Sequence, residues 1–194
     1  MARPKSYDRD DAIAKACMAF WQHGYQALGV RELERLTGLN QFAIRSEFGG
    51  KEGLYLEALR YYADAAMTEE FSPMKTGGIA EVMAFFRGLV TDGSLTSSDF
   101  GCLIVNTGIE NARVQSERLD EAARAYWAAL EAHFRMALER DAGQPARFDP
   151  GTLAKALVSA VMGIHAQNRA QQSNQAGRYL VDMVCANLAA LEQT

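Results

Sequence analysis

Few residues of this 194-residue chain have the types and spacing that catalysis or metal binding requires. The three histidines, His23, His133 and His165, lie far apart, and neither they nor the three cysteines have the spacing of a metal site. No G-x-S-x-G, HExxH, P-loop or GxGxxG motif is present. We therefore expect no enzyme activity, no metal and no cofactor.

The clearest chemistry lies in a short polar and basic segment from Asn40 to Glu47. Gln41 can pair bidentately with adenine, and Arg45 can contact guanine or a phosphate. We predict that the outward-facing side chains of this segment contact DNA, and that Phe42 reaches a thymine methyl. These candidates are Asn40, Gln41, Phe42, Ala43 and Arg45. A solvated polar helix face is the alternative.

A helix-turn-helix pattern would position these side chains. Leu33 and Leu36 form the inner face of a first short helix, Gly38 supplies a turn, and Ile44 anchors a second short helix. Two short helices joined in this way place the second one in the major groove of DNA. Any corner between two helices shows the same pattern, which remains the alternative.

Basic residues around this pattern are candidates for contacts with phosphate. Arg31 lies at the start of the first short helix, and Lys51 begins the next helix, where free amides could assist its ammonium. Arg3 and Lys5 form either a DNA-contacting arm or a plain basic tail. The whole chain carries a net charge of −4, so binding of an anion depends on local arrangement.

Helical periodicity extends along the chain, and alternating strand patterns are absent. We predict an all-α fold of about nine helices, with a linker at 72–78. Residues 1–50 would form a helix-turn-helix DNA-binding head, 51–72 a connecting helix, and 73–194 a ligand-binding and dimerisation bundle. The predicted helices span residues 8–23, 30–36, 40–47, 51–70, 79–91, 100–112, 116–141, 151–172 and 175–191.

An aromatic-rich segment, Phe20-Trp-Gln-His-Gly-Tyr25, ends the first helix, and Gly38, Phe48, Lys51-Glu52 and Leu54 follow it. Their order and spacing over residues 8–60 resemble the TetR family of transcriptional regulators. The resemblance implies a regulator, more often a repressor, that binds a near-palindromic operator as a homodimer. A small, mostly apolar effector would release it. The C-terminal helices resemble the family only in length and number.

Four positions depart from the family pattern. Gly29 stands where Ser or Thr usually caps the second helix. Glu34 replaces an alanine where the two short helices cross, so its carboxylate must point past that contact. Arg45 replaces a tyrosine and Glu47 a histidine, so the family's phosphate contacts cannot be transferred as a set.

The last two predicted helices are apolar on more than one side, which favours a four-helix interface with a second copy of the chain. Burial within one subunit is the alternative. We also predict a ligand pocket in the bundle, where apolar side chains surround a few polar ones. Its candidate residues are Phe86, Phe100, Asn106, Glu110, Trp127, Met162 and His165. For each of them, a place in the ordinary core is the alternative.

Two other functional interpretations remain. Cys102 lies near a predicted helix start, where free amides could lower its thiol pKa and make a redox-sensing regulator. A small buried residue is the alternative there. The acids Glu34 and Glu47 are also compatible with an interaction module whose DNA face has decayed. Because the chain lacks a signal-peptide pattern and a run of about 18 apolar residues, we expect a cytoplasmic protein without a membrane partner.

Overall fold

The computed structural model describes residues 7–92, 97–143 and 148–192, and its regular structure within these ranges is helical throughout. The prediction of an all-α fold is thereby confirmed. The helices are α1 (Arg9–His23), α2 (Val30–Thr37), α3 (Gln41–Phe48), α4 (Lys51–Glu69), α5 (Ile79–Gly88), α6 (Leu103–Val114), α7 (Glu117–Asp141), α8 (Pro150–Gln171) and α9 (Arg178–Glu192). None of them, within the described ranges, is long and apolar enough to cross a bilayer.

Local signals in the sequence account for most helix ends. The Asp8 side chain caps α1 by accepting the amides of Asp10 and Asp11 at 2.9 and 3.0 Å. In contrast, α6 begins at Leu103, three residues later than predicted. A turn precedes it, in which the Ser98 carbonyl accepts the amide of Gly101, a glycine with a φ of +68°.

The segment 72–78, which we predicted as a linker, connects α4 to α5 and contains an ordered turn. Ser72–Lys75 forms a 3-10 turn, and the side chain of Met74 is fully buried. Arg140 on α7 donates hydrogen bonds to the carbonyls of Met74 and Gly77, at 3.2 and 2.9 Å. The connection between α4 and α5 is therefore held against α7.

One apolar core continues from the N-terminal helices into the bundle. Helix α4 joins the two parts because it packs against α1 and α3 at one end and against α7 further along. Aromatic pairs mark the junction: the rings of Phe20 and Tyr55 lie 4.5 Å apart, and those of Trp21 and Tyr62 lie 5.2 Å apart. The division at residue 50 thus crosses a packed core, and it stays a prediction.

Candidate nucleic-acid interface

Helices α2 and α3 meet in a tight corner. Gly38 ends α2 with a φ of +75°, and its amide donates to the Glu34 carbonyl at 3.0 Å. The buried side chains of Leu33, Leu39 and Ile44 hold the corner against the rest of the head. The structure therefore contains the helix-turn-helix geometry that the spacing of these residues predicts.

Two side chains occupy the free amides at the start of α3. The Asn40 side chain accepts the amide of Ala43 at 2.8 Å. Glu34 reaches across from α2 and accepts the amide of Gln41 at 2.5 Å through Oε1. Within the described residues, the amide of Phe42 has no hydrogen-bond partner, so two of the first three amides of α3 are occupied.

The outer face of α3 presents Gln41, Phe42 and Arg45 to solvent. The Phe42 side chain is 79% exposed, so its apolar surface is available to a partner such as a thymine methyl. Among the described residues, the Gln41 and Arg45 side chains form no hydrogen bond or ion pair. Ala43, in contrast, is only 5% exposed, and the prediction that it faces outward was wrong. Its methyl group lies on the inner face of α3, and the next residue, Ile44, is buried as well.

The predicted phosphate-binding residues are placed differently from one another. Arg31 is exposed at the start of α2 and has no ion-pair partner within the described part of the chain. Lys51 is half-buried, with Nζ only 4.4 Å from the centre of the Tyr25 ring. Burial lowers the Lys51 pKa. The ammonium of Lys51 is therefore turned toward Tyr25, and Arg3 and Lys5 lie outside the described residues.

The loop that follows α1 is bound by a carboxylate from the bundle. Glu110 on α6 accepts the amides of Tyr25 and Gln26 at 3.1 and 2.8 Å. Its carboxylate approaches Gly24 so closely that a Cβ there would lie 2.5 Å from Oε1. Glu110 therefore joins the bundle to the head, and its contact with a ligand stays a prediction.

A second connection runs from α8 to the end of α1. Arg169 donates hydrogen bonds to the carbonyls of Trp21 and Gln22 at 3.0 and 3.2 Å. These carbonyls belong to the last turn of α1, where a positive charge is favourable. Trp21 in turn donates its indole N–H to the Gly101 carbonyl at 3.0 Å. The orientation of the head is thus tied to both α6 and α8.

Comparison with known proteins decides which family has this helix-turn-helix. The sequence model for bacterial regulatory proteins of the tetR family matches residues 12–58, which span α1, α2, α3 and the first part of α4. Residues 12–58 therefore form a TetR-family N-terminal domain.

Two curated relatives are similar over the N-terminal part of the chain. The transcriptional repressor ComR of Escherichia coli is 34% identical over 107 residues, which is 54% of this chain and 51% of ComR. The repressor AcnR of Corynebacterium glutamicum is 38% identical over 84 residues, which is 43% of this chain and 41% of AcnR. The chain thus spans about half the length of the curated relatives it matches, or less.

The fold as a whole is the TetR fold. A cysteine mutant of the TetR-family regulator CifR, complexed with 26-base-pair operator DNA, superposes with a TM-score of 0.81 over 95% of this chain and 98% of CifR, at 23% identity. The reduced form of NemR from E. coli gives a TM-score of 0.72 over 91% of this chain and 94% of NemR, at 20% identity. At such identities the likeness establishes the fold.

The two acids that depart from the TetR pattern, Glu34 and Glu47, interact with other parts of the chain. Glu47, which replaces a histidine, lies near the Tyr7 hydroxyl. Burial and this neighbouring carboxylate raise the Tyr7 pKa to about 12. Glu34 holds the amide of Gln41, and Gly29 gives α2 no side-chain cap. Because both acids have structural roles, their presence does not indicate a decayed DNA face.

Of the predicted ligand residues, Trp127 and Met162 lie together on an apolar groove of about 420 Å³ between α6, α7 and α8. We call it the α6–α8 groove. Its lining contains only apolar residues and glycine: Ile104, Val105, Gly108, Ile109, Trp127, Met162, Gly163 and Ala166. The groove could therefore take an apolar molecule, but it offers few side-chain groups to orient a polar one.

The other predicted ligand residues do not line this groove. Phe86 is fully buried, with its ring centre 5.8 Å from that of Phe134. Asn106 donates its side-chain N–H to the Phe100 carbonyl at 2.9 Å, so this donor is used within the chain. His165 is buried, its Nδ1 has no hydrogen-bond partner, and burial lowers its pKa to about 4.

A second cavity is lined by none of the predicted ligand residues. It is a cleft of about 520 Å³ between α4 and α7, with an apolar floor that includes Met67 and Tyr126. Its rim carries Glu47 from α3 and Arg118 from α7. No sequence signal indicates this cleft, since its walls come from helices that are distant in the chain.

The cysteines are placed unfavourably for redox chemistry. Cys17, Cys102 and Cys185 are all buried free thiols, and burial raises the pKa of each. Cys102 lies just before α6, but its burial outweighs the neighbouring amides, which lower the pKa. Cys102 is therefore the small buried residue that the sequence analysis gave beside the redox interpretation. Within the described ranges, no cluster of three or more His, Cys, Asp or Glu residues could hold a metal ion.

Proposed function

We propose that this protein is a transcriptional repressor that binds operator DNA through α3. The observation that carries the proposal is the exposed set of Gln41, Phe42 and Arg45 on the second helix of a helix-turn-helix. The names of ComR and AcnR as repressors support it, as does the operator complex of CifR. The same relatives give no support to an enzymatic function.

We propose that the protein acts as a homodimer through α8 and α9. Helix α9 buries Val184 and Leu188 within the bundle, yet it exposes Tyr179 and Met183 at 87% and 54%. These two exposed residues are four positions apart, so they share one face of the helix. A second copy that packs on this face would remove their apolar surface from water.

We propose that a small, mostly apolar effector binds the α6–α8 groove. Ile109 lines the groove and directly precedes Glu110, which holds the loop after α1. An occupant that displaced α6 would therefore shift the carboxylate that positions the head. Such an effector would release DNA by favouring a state in which the two heads are wrongly spaced.

Selection of bound sequences from a random duplex pool tests the DNA-binding function. We expect a near-palindrome whose half-sites are about one helical turn apart, because two symmetric heads would occupy successive major grooves. Electrophoretic titration of the selected duplex against a scrambled one then measures specificity. A pool that shows no enrichment would exclude the proposed function.

Paired tyrosine variants test the dimer. Tyr179→Glu places a charge on the proposed interface, whereas Tyr61→Glu places the same charge at another exposed tyrosine, on α4. We expect Tyr179→Glu alone to sediment as a monomer and to lose operator binding. Equal sedimentation of both variants as dimers would rule out this face.

Paired alanine variants test the effector site. Ala166→Phe fills the α6–α8 groove and should weaken operator binding as an effector would. Ala128→Phe introduces the same ring at an exposed position on α7, outside the groove, and should have no effect. Apolar compounds that dissociate Ala128→Phe from the operator should not dissociate Ala166→Phe from it. Equal responses would place the effector elsewhere.

A further inference from the structure

The carboxylate of Glu34 lies at the first residue of α3. Its Oε1 atom is 2.5 Å from the amide nitrogen of Gln41, although the two residues belong to different helices. Within the described ranges Glu34 forms no ion pair. Glu32, on the same helix, is instead paired with Arg35.

The hydrogen bond from the Gln41 amide to Glu34 affects how the start of α3 can bind phosphate. The first amides of a helix lack intrahelical partners and bind phosphate readily. Contacts of this kind are the same for every DNA sequence, so they strengthen nonspecific binding. Glu34 takes the Gln41 amide and adds a negative charge that repels phosphate.

The same hydrogen bond holds the residue whose side chain faces the bases. The backbone of Gln41 is fixed by Glu34, while its side chain is exposed and has no partner within the described residues. A fixed backbone limits the directions in which that side chain can point. The alanine that TetR relatives usually have at position 34 could not make this contact.

We propose that Glu34 is a specificity-determining positioning residue of the DNA interface. It withholds the Gln41 amide from phosphate and orients the Gln41 side chain toward base edges. This inference rests on the DNA-binding function proposed above. Its effect is on the ratio of operator affinity to nonspecific affinity, more than on either affinity alone.

Two variants at this position separate the charge from the hydrogen bond. Glu34→Ala removes both, whereas Glu34→Gln keeps an oxygen acceptor for the Gln41 amide and removes only the charge. Glu139→Gln on α7 is the control, because it makes the same change in net charge at an exposed site on the bundle. Each protein is titrated with the selected operator and with a random-sequence duplex at several salt concentrations.

We expect Glu34→Ala to bind the random duplex roughly 2–10-fold more tightly, with a log–log salt slope steeper by up to about one unit. Its preference at the base pair contacted by Gln41 should relax, so the affinity ratio falls by about threefold or more. Glu34→Gln should also bind the random duplex more tightly, yet it should keep that base preference. Glu139→Gln should match the parent.

Two results would overturn the inference. The first is an unchanged affinity ratio and salt slope in Glu34→Ala. The second is an equal loss of both affinities together with a lower melting temperature that Glu34→Gln restores, since this outcome assigns Glu34 to helix capping alone. A parent protein without any sequence preference would instead overturn the proposed function, and this inference with it.

Discussion

The Glu110 carboxylate lies 2.8 Å from the amide nitrogen of Gln26, and this contact joins α6 of the bundle to the loop between α1 and α2. The same carboxylate also accepts the amide of Tyr25. A charged acceptor that binds two adjacent amides is stronger than a neutral one and fixes the direction of the loop. The head therefore cannot rotate freely against α6.

Replacement of Glu110 by alanine should loosen the head. We expect a loss of about 1–2 kcal/mol in the free energy of unfolding, because one partly buried and one exposed amide lose a charged acceptor. Hydrogen exchange of the Tyr25 and Gln26 amides should accelerate, and operator affinity should fall as the two heads sample more orientations. Gln26→Ala is the control, since it removes only the 3.3 Å bond to the Glu110 carbonyl. Unchanged exchange in Glu110→Ala would contradict the proposed link.

Gln41 and Arg45 should have different effects on DNA binding. Gln41→Ala should cost about 1–3 kcal/mol on the operator and relax one base pair per half-site, because we propose that the exposed Gln41 side chain contacts a base edge. Its nonspecific affinity should change little. Arg45→Ala should weaken all duplexes alike and flatten the salt slope by about one unit, because one phosphate contact is lost. If Arg45→Ala relaxes one base position and keeps the slope, Arg45 contacts a base.

Lys51 serves as the comparison for Arg45. Its ammonium lies 4.4 Å from the centre of the Tyr25 ring, and burial lowers its pKa. We expect Lys51→Ala to flatten the salt slope by less than half as much as Arg45→Ala. Salt titrations on a random duplex measure both. Equal effects would show that Lys51 turns away from Tyr25 when DNA binds.

His165 should make the stability of the protein depend on pH. Its folded pKa of about 4 lies below the ordinary value of 6.5, so the unfolded state binds a proton first as the pH falls. The stability gained from neutral His165 is complete above about pH 6.5 and is lost progressively toward pH 4, by about 3 kcal/mol in total. Urea unfolding of His165→Leu should lack this component, whereas the exposed-site control His23→Leu should retain it. Parallel pH profiles for parent and His165→Leu would contradict the prediction.

The three buried thiols should make the protein insensitive to mild oxidants. We expect a thiol reagent to react slowly with the native protein and with all three cysteines in denaturant. Cys102→Ser should keep operator affinity within a few-fold of the parent. Peroxide-dependent release of the operator by the parent, absent from Cys102→Ser, would establish the redox-sensing alternative.

Local sequence patterns were sufficient to predict the helix-turn-helix. The spacing of Leu33, Gly38 and Ile44 predicts a helix, a turn and a second helix. These elements lie within a few residues of one another, so they can be identified without knowledge of distant contacts. The starts of α1 and α3 are also set locally, because the side chains of Asp8 and Asn40 accept the first free amides of these helices. For the same reason the all-α fold was correct, since the helical period persists along the chain.

The side-chain environments depended on the tertiary structure. Ala43 was expected on the DNA face, but periodicity alone did not reveal which side of α3 the rest of the head would cover. Lys51 was expected to face phosphate, yet Tyr25 offers its ring from another element. The exposure of Ala43 and the position of the Lys51 ammonium both depend on which side chains from other parts of the chain pack against them.

The sequence by itself determined the helices and the helix-turn-helix with its TetR-family pattern, because these follow from residue type and from spacing within a few turns. Only the tertiary structure decided that Glu110 holds Gln26 and that Glu34 holds Gln41. These pairs are 84 and 7 residues apart, respectively, and each crosses between elements. A carboxylate has no preferred partner in sequence, so its role is set by whichever unpaired amide the fold brings within hydrogen-bond distance.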